Sequence, residues 1–577
     1  MRHIKLLVIA IAAGVIINAC NKSDLNKRPL GHLDEAAIAN KKGVEKLLIG
    51  AYSLLDGIGG NKGGWFSAAS NWIYGSICGS EAYKGSDEGD QGPEINPIEK
   101  FSVTANSASL ASKWGTVYDG VQRANDVLRI MAKATDISVN DQKRITAEAR
   151  FLRAYYHFEA KKMWNKIPFI DETITYVNGN YHVSNQTDAW PGIENDLLFA
   201  KANLKTTPYQ DAVGRATTYT ATALLAKAYM FQKKFLQAKP LLDTIINNSP
   251  FHLVSYHDNF NPAKKNSYES IFSVQMSINE GFSSEPYTNG NSGDVLNFPW
   301  GGSPFSCCGF FQPSQYLVNH FKTDAITGLP DLDNFNDTDV KHDNGIPALD
   351  PFDPYTGTLD PRLDWTVGRR GIPYLDWGNH PGAAWIRDTA YGGPYSPKKN
   401  LYYQSQQGQQ NDLSFWTNGS TTNNVNLIRF ADVLLWAAEV EAETGGSLTK
   451  ARDYVNQVRR RAADTSGWVK KADGSFAANY KVGEYEDSWT DKVFALKAIR
   501  YERMLELAME GHRFFDLVRW GIADIEINKY IAEEPRTHLI GAVFQKGRNE
   551  YFPIPQLQID LSAGADGIPK MIQNPGY

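Results

Sequence analysis

Residues 500–521 read RYERMLELAMEGHRFFDLVRWG. Arg500, Glu502, Arg503, Glu506, Glu510, Arg513, Asp516 and Arg519 balance four charges of each sign and interleave with apolar residues. Arg503/Glu506 and Asp516/Arg519 stand at i,i+3, the spacing that brings side chains together on a helix. Gly511 suits a helix stop, after which Arg513 to Trp520 restarts as a short helix. Balanced charges placed among core-forming residues predict a paired structural network rather than a reactive centre. Glu510, Gly511 and His512 do not have the spacing of a metalloprotease pair.

Working outward, helical periodicity dominates both ends of the chain. Val117, Val121, Ala124, Val127, Leu128 and Met131 recur at threes and fours over Thr116–Ala132, as do Ile145, Ala149, Leu152, Tyr156 and Met163 over Asp141–Trp164. Thr217–Asn247 breaks at Lys233 and Lys234, which predicts two helices joined by a turn, with small Ala residues where the pair closes. Val433–Thr444, Gly445–Gly446 and Leu448–Ala462 repeat that outline, which resembles a tetratricopeptide unit. A single hairpin cannot bury its own apolar stripe, so these distant units are expected to meet in space.

The middle reads otherwise. From Ser267 to about Asn424 Gly, Pro, Asn and Asp abound, and brief pieces such as Ser270–Met276 are strand-like. The expected organisation is therefore a leader over 1–19, a tether over 20–30, an N-terminal helical lobe over 31–266, an inserted loop-rich subdomain over 267–424 and a C-terminal helical segment over 425–577.

The leader is read from Arg2 and Lys5, the apolar run Leu6–Ile17, and Asn18, Ala19 and Cys20. Twelve helical residues span too little of a hydrocarbon core about 30 Å thick, so the run is a signal peptide. Cys20 then resembles a lipobox cysteine, which would carry acyl chains and hold an exported protein on a membrane. Of the remaining cysteines, Cys307 and Cys308 are sequence neighbours, for which a mutual disulfide is strained; two free thiols, or one bond to Cys78, are expected.

Composition excludes several classes. The 577 residues hold 59 Lys and Arg against 64 Asp and Glu, a net charge of −5 with no long basic run, so a nucleic-acid partner is not expected. No G-x-S-x-G, H-E-x-x-H, Walker or G-x-G-x-x-G element stands in a suitable setting, and no enzyme activity is expected. Asp331, Asp333, Asp337, Asp339 and Asp343 offer oxygens at alternating spacing, but Phe335 falls where a calcium loop needs Asp or Asn. No cofactor is expected, calcium being the one metal that run could hold.

Aromatic residues are abundant: 27 Phe, 28 Tyr and 14 Trp. Two Gly-rich stretches concentrate them beside polar residues. Gly63–Gly85 carries Trp65, Phe66, Trp72, Tyr74 and Tyr83; Tyr287–Phe311 carries Tyr287, Phe298, Trp300, Phe305, Phe310 and Phe311. A sugar ring shows one apolar C–H face and a rim of hydroxyls, so its site needs a flat aromatic platform edged by amides or carboxylates. Asn71, Glu81, Lys84, Asp87 and Asn297 could supply that edge. The ordinary role of any one ring is packing; Trp72 and Trp300 are the expected exceptions, their Gly neighbours leaving faces uncovered. Ligand-binding candidates are thus Trp65, Asn71, Trp72, Tyr74, Glu81, Tyr83, Tyr287 and Trp300.

Residues 500–521 and the terminal NEYFPIPQLQIDLSAGADGIPKMIQNPGY, Asn549–Tyr577, resemble hallmark segments of the SusD/RagB family of Bacteroidetes surface lipoproteins. The resemblance extends through Cys20, WIYGSICGSEAYKGS (Trp72–Ser86), Arg144–Trp164, GFFQPSQYLVNHF (Gly309–Phe321), DPRLDWTV (Asp360–Val367) and LIRFADVLLWAAEVE (Leu427–Glu441). It implies a mainly α fold of four tetratricopeptide-like helical hairpins with a less regular subdomain bearing the ligand face. It also implies capture of an oligosaccharide or related nutrient at the outer-membrane surface. Delivery to a TonB-dependent, SusC-like transporter would follow, the protein sitting on it as a lid. Cys307 and Cys308 depart from the Gly or Trp common in relatives before the Gly-Phe segment. The alternatives are a peptide-binding or purely structural lid, and a surface glycosidase.

Overall fold

The computed structural model describes residues 35–58, 64–278, 289–534 and 536–577. Cys20 and Tyr287 lie outside them.

The long helices of the first lobe are α1 (Lys41–Tyr52), α2 (Ala108–Met131), α3 (Val139–Trp164), α4 (Trp190–Asn203), α5 (Thr218–Phe231) and α6 (Phe235–Asn248). Each start is set chemically where a short polar residue precedes the apolar period. Ser138 accepts from the Asp141 N–H at 3.2 Å and Thr217 from the Thr220 N–H at 3.2 Å, satisfying donors that have no intrahelical partner. The break at Lys233–Lys234 divides α5 from α6 as the sequence predicts.

Beyond the irregular middle come α7 (Phe430–Glu443), α8 (Leu448–Ala463), α9 (Lys492–Leu507), α10 (Arg513–Trp520) and α11 (Ala523–Glu533). From α1 to α9 each helix packs on its successor, α6 directly on α7 included, so the stack runs on across the long insertion. The distant hairpins do meet. The fold is the expected mainly helical, tetratricopeptide-like scaffold.

Strands are short and paired in twos: β1 (Ala82–Gly85) with β3 (Phe310–Pro313), β2 (Ser270–Val274) with β6 (Val425–Arg429), and β4 (Val367–Gly368) with β5 (Ser396–Pro397), all antiparallel. In β2/β6, Ser270 faces Arg429 and Val274 faces Val425. The chain therefore leaves the helical stack and re-enters it at neighbouring points. Among the described residues no helix is long and apolar enough to cross a membrane.

The hallmark segment forms a buried ion-pair network, with one change of partner. Asp516 and Arg519 pair at 2.7 Å as expected, but Arg503 reaches Asp432 at 2.7 Å and Asp516 at 2.8 Å instead of Glu506. Glu506 is met by three arginines from elsewhere: Arg362 at 3.0 Å, Arg429 at 2.5 Å and Arg461. Burial alone would raise the Glu506 pKa; the three guanidiniums outweigh it and hold the carboxyl well below the usual range. Arg429 also binds Glu269 at 2.7 Å and Glu510 at 2.9 Å, tying β2 and β6 to the end of α9.

Two further expectations are corrected. Cys307 and Cys308 are bonded to each other, their Cα atoms 3.1 Å apart, while Cys78 is a buried free thiol directed at the Ile98 carbonyl. Gly511 lies past the end of α9 at Leu507 with φ +76°, in a turn packed against Ser70.

Candidate functional site

The two aromatic stretches come together. Trp72 donates its indole N–H to the Gly293 carbonyl at 3.1 Å, and its ring lies 5.6 Å from Phe311 and 6.3 Å from Phe310. Ser70 donates to Asp294 at 2.6 Å, and β1 pairs with β3 immediately behind.

The joint is built largely from the residues expected to face the ligand, and this corrects several of them. Trp72 is 1% exposed: its Gly neighbours let backbone approach closely rather than leaving the ring open. Tyr74 is buried, its hydroxyl donating to the Phe66 and Ser109 carbonyls at 3.1 and 3.2 Å. Tyr83, in β1, is fully buried under Arg536, whose guanidinium lies 5.2 Å from the ring, and its oxygen accepts from the Gln315 N–H. Asn71 is buried and donates to Glu159 at 3.1 Å. Glu81 is buried as well; desolvation pushes its carboxyl up to about 8, against the pull of Ser76, Arg513 and Lys399. Asn297 is buried and donates to Asp294. These six side chains position the surface and do not present themselves on it.

Trp65 and Trp300 remain half-exposed. Around Trp300 a polar edge is assembled from residues distant in sequence. The Arg387 guanidinium lies 4.3 Å from the Trp300 ring and bridges Asp90 at 2.6 Å, Asp87 at 2.7 Å and the Ser86 hydroxyl at 2.9 Å. Lys84 beneath holds the Asp90 carbonyl at 2.7 Å; burial draws its pKa down to about 8, partly offset by Glu99, Asp90 and Asp87. The Trp300 N–H donates to the Trp385 carbonyl at 2.9 Å, which fixes the indole's backbone. Gly309, at φ +81°, is required here. The requirement is conformational: a Cβ there would meet Trp300, Arg387 and Ser86 only at ordinary contact distance, but a side chain is strained in this left-handed backbone. The result is an indole with the Arg387 guanidinium over one face and that guanidinium's two carboxylates beyond it, all three charged groups more than a quarter exposed.

Sequence reasoning selected Trp300 and Asp87 but missed Arg387 and Asp90. Arg387 stands in an unremarked piece of loop, and only tertiary structure brings it to the Trp300 ring. The acidic run is dispersed: Asp333 pairs with Lys497, Asp339 accepts from Asn319 at 2.8 Å, and Asp343 is 3.7 Å from Arg370. Among the described residues no group of three or more His, Cys, Asp or Glu is arranged to hold a metal.

Helical hairpins carrying a long, loop-built face with an aromatic platform define a scaffolded binding protein. The comparisons with known proteins identify which kind. Residues 268–577 match the model of the SusD family, and residues 94–230 match a model described as starch-binding, associating with outer membrane. The chain belongs to the SusD family. A SusD-like protein of Formosa agariphila is 26% identical over 508 residues, covering 85% of this chain and 84% of that one. Another from Bacteroides ovatus is 23% identical over 606 residues, covering 99% and 96%. Among solved structures, a laminarin-binding SusD-like protein superposes with TM-score 0.65 at 24% identity, over 93% of this chain and 100% of that one. Surface glycan-binding protein A from Bacteroides thetaiotaomicron, in complex with laminarihexaose, does so with TM-score 0.67 at 19% identity, over 93% and 99%.

Proposed function

We propose that this protein is a non-catalytic, lipid-anchored surface protein that binds an oligosaccharide and passes it to a TonB-dependent transporter of the outer membrane. The observation that carries the binding role is the partly exposed Trp300 indole with Arg387 over one face and Asp87 and Asp90 paired to that guanidinium. A pyranose stacks its C–H face on the side of the indole away from Arg387, and hydroxyls that overhang the rim reach the guanidinium and carboxylates as donor and acceptors. Trp65 is a second platform on the same pair of aromatic stretches, with Tyr287 a third candidate on the segment outside the described residues. The solved relatives that bind laminarin and laminarihexaose make β-glucan the first ligand class to try. Membership of the SusD family and the Cys20 lipobox support the anchor and the transporter partnership.

Calorimetry against a glycan panel headed by laminarihexaose tests the reading. Saturable binding that weakens at least about tenfold in Arg387→Ala is expected. Unchanged affinity in that variant rejects the site. Absence of binding to every glycan, with a large β-barrel co-purifying, favours a structural lid, and products accumulating from a bound glycan favour a glycosidase.

A further inference from the structure

A second cavity, of about 430 Å³, lies behind the hallmark segment, between α9, α10, α11 and the loop around Asp333. Phe335, Leu496, Met504 and Ile522 form apolar walls, and Arg500 and Arg513 line it as well. Its size is that of a small-molecule pocket, and it shares no lining residue with the Trp300 face.

The arginines are unequally satisfied. Three guanidiniums surround the Trp520 indole, with Arg500, Arg513 and Arg519 at 5.1, 5.9 and 4.9 Å from its ring centre. Arg519 is fully engaged, forked onto Glu439 at 2.6 and 2.8 Å and bound to Asp516 at 2.7 Å. Arg513 is nine-tenths buried; its unpartnered Nε is closed off from the cavity, and its Nη2 lies 3.5 Å from Glu526, a carboxylate that also lines the cavity and leaves the guanidinium only loosely paired. Arg500 has an unpartnered Nε too, with Glu443 4.0 Å away. Burial lowers the Arg500 pKa, Glu439 and Glu443 oppose this, and the neighbouring Arg519 and Arg513 add to the lowering. Four cations, Lys497, Arg500, Arg513 and Lys529, against two acids, Asp333 and Glu526, line this cavity between its apolar walls, and the fork geometry of two loosely paired guanidiniums suits a carboxylate.

We propose that this cavity is a second binding site, taking a small monocarboxylate whose charged end lies between Arg500 and Arg513 and whose apolar body rests on Phe335, Leu496 and Met504. Lys497 and Lys529, the more exposed cations of the lining, draw the anion in, although Lys497 shares its charge with Asp333 and Lys529 with Glu533 at 3.9 Å. A pyranose offers the two guanidiniums only neutral hydroxyl acceptors, whereas a carboxylate brings an opposite charge, so this site is distinguished from glycan capture by its demand for an anion.

Titration calorimetry of the protein with hexanoate, phenylacetate and the neutral hexanamide tests it. Both acids are expected to saturate a single site, with hexanamide at least about tenfold weaker. Arg500→Gln and Arg513→Gln should each weaken hexanoate about tenfold. Lys529→Gln, on the exposed face of α11, should weaken it about twofold and reduce its salt dependence, and it keeps the test open if a buried variant fails to fold. The proposal is overturned if hexanamide binds as well as hexanoate, if neither acid saturates by about 20 mM, or if hexanoate affinity is unchanged in the folded variants.

Discussion

Gly511 donates its backbone N–H to the Ser76 hydroxyl at 3.0 Å, and Gly75 closes on the same residue so tightly that a Cβ there would overlap the Gly511 carbonyl. This contact seats the π-helical turn Trp72–Ile77 on the turn between α9 and α10. The floor of the aromatic joint is thus fixed by the C-terminal hallmark segment.

Gly75→Ala should therefore destabilise the protein by about 3 kcal/mol, since the obstructing atom is backbone and cannot swing aside. Gly50→Ala is the contrast. Nothing lies within 4 Å of its Cβ position inside α1, and a gain of about 0.5–1 kcal/mol is expected. Denaturant melts of both variants check the pair; similar effects would remove the packing argument.

Glu506 is the acid of the ion-pair network whose loss should be felt most. Glu506→Gln leaves Arg362, Arg429 and Arg461 short of a counter-charge in the interior and should cost about 3–5 kcal/mol. Arg460→Ala, which breaks the exposed pair with Glu484, should cost about 0–1 kcal/mol. Because the folded-state pKa of Glu506 is depressed, its contribution is fully present above the ordinary glutamate value of 4.5 and is lost as pH falls below it. A stability profile from pH 7 downward should lose that acid-side fall in Glu506→Gln.

Glu81 carries the opposite sign. Its folded-state pKa of about 8 lies above the unfolded value of 4.5, so the native state holds the extra proton between them and stability declines as pH rises through that interval. The decline has a limiting slope of about 1.4 kcal/mol per pH unit for one proton. Glu81→Gln, uncharged throughout, should flatten it between pH 5 and 8; an unaltered slope in urea melts across that range would show that Glu81 is ionised when folded.

How much of this was legible depended on the range of the interactions. The α5/α6 hairpin and its break at Lys233–Lys234 were readable, because helix period and capping act over a few residues. The pairing of Arg503 with Glu506 was misread, because i,i+3 spacing names only a local candidate while Arg362, Arg429 and Arg461 arrive from three other segments. Glycines beside Trp72 suggested an open ring; in three dimensions Gly75 and Gly293 admit neighbouring chain and close it. The Trp300 edge depends on Arg387, which no local pattern singles out.

Trp72 and Trp300 should consequently separate stability from binding. Trp72→Ala empties a fully buried indole site and loses the hydrogen bond to Gly293, which should cost about 3–5 kcal/mol. Its glycan affinity, measured where the variant is still folded, should stay within about threefold of the parent. Trp300→Ala removes a half-exposed ring and should cost about 1 kcal/mol in stability while weakening glycan binding at least about tenfold. Parallel urea melts and calorimetric titrations with laminarihexaose decide it. If Trp72→Ala lost affinity while Trp300→Ala kept it, the ligand would be engaging the joint between the aromatic stretches, and the Trp300 face would have to be abandoned as the site.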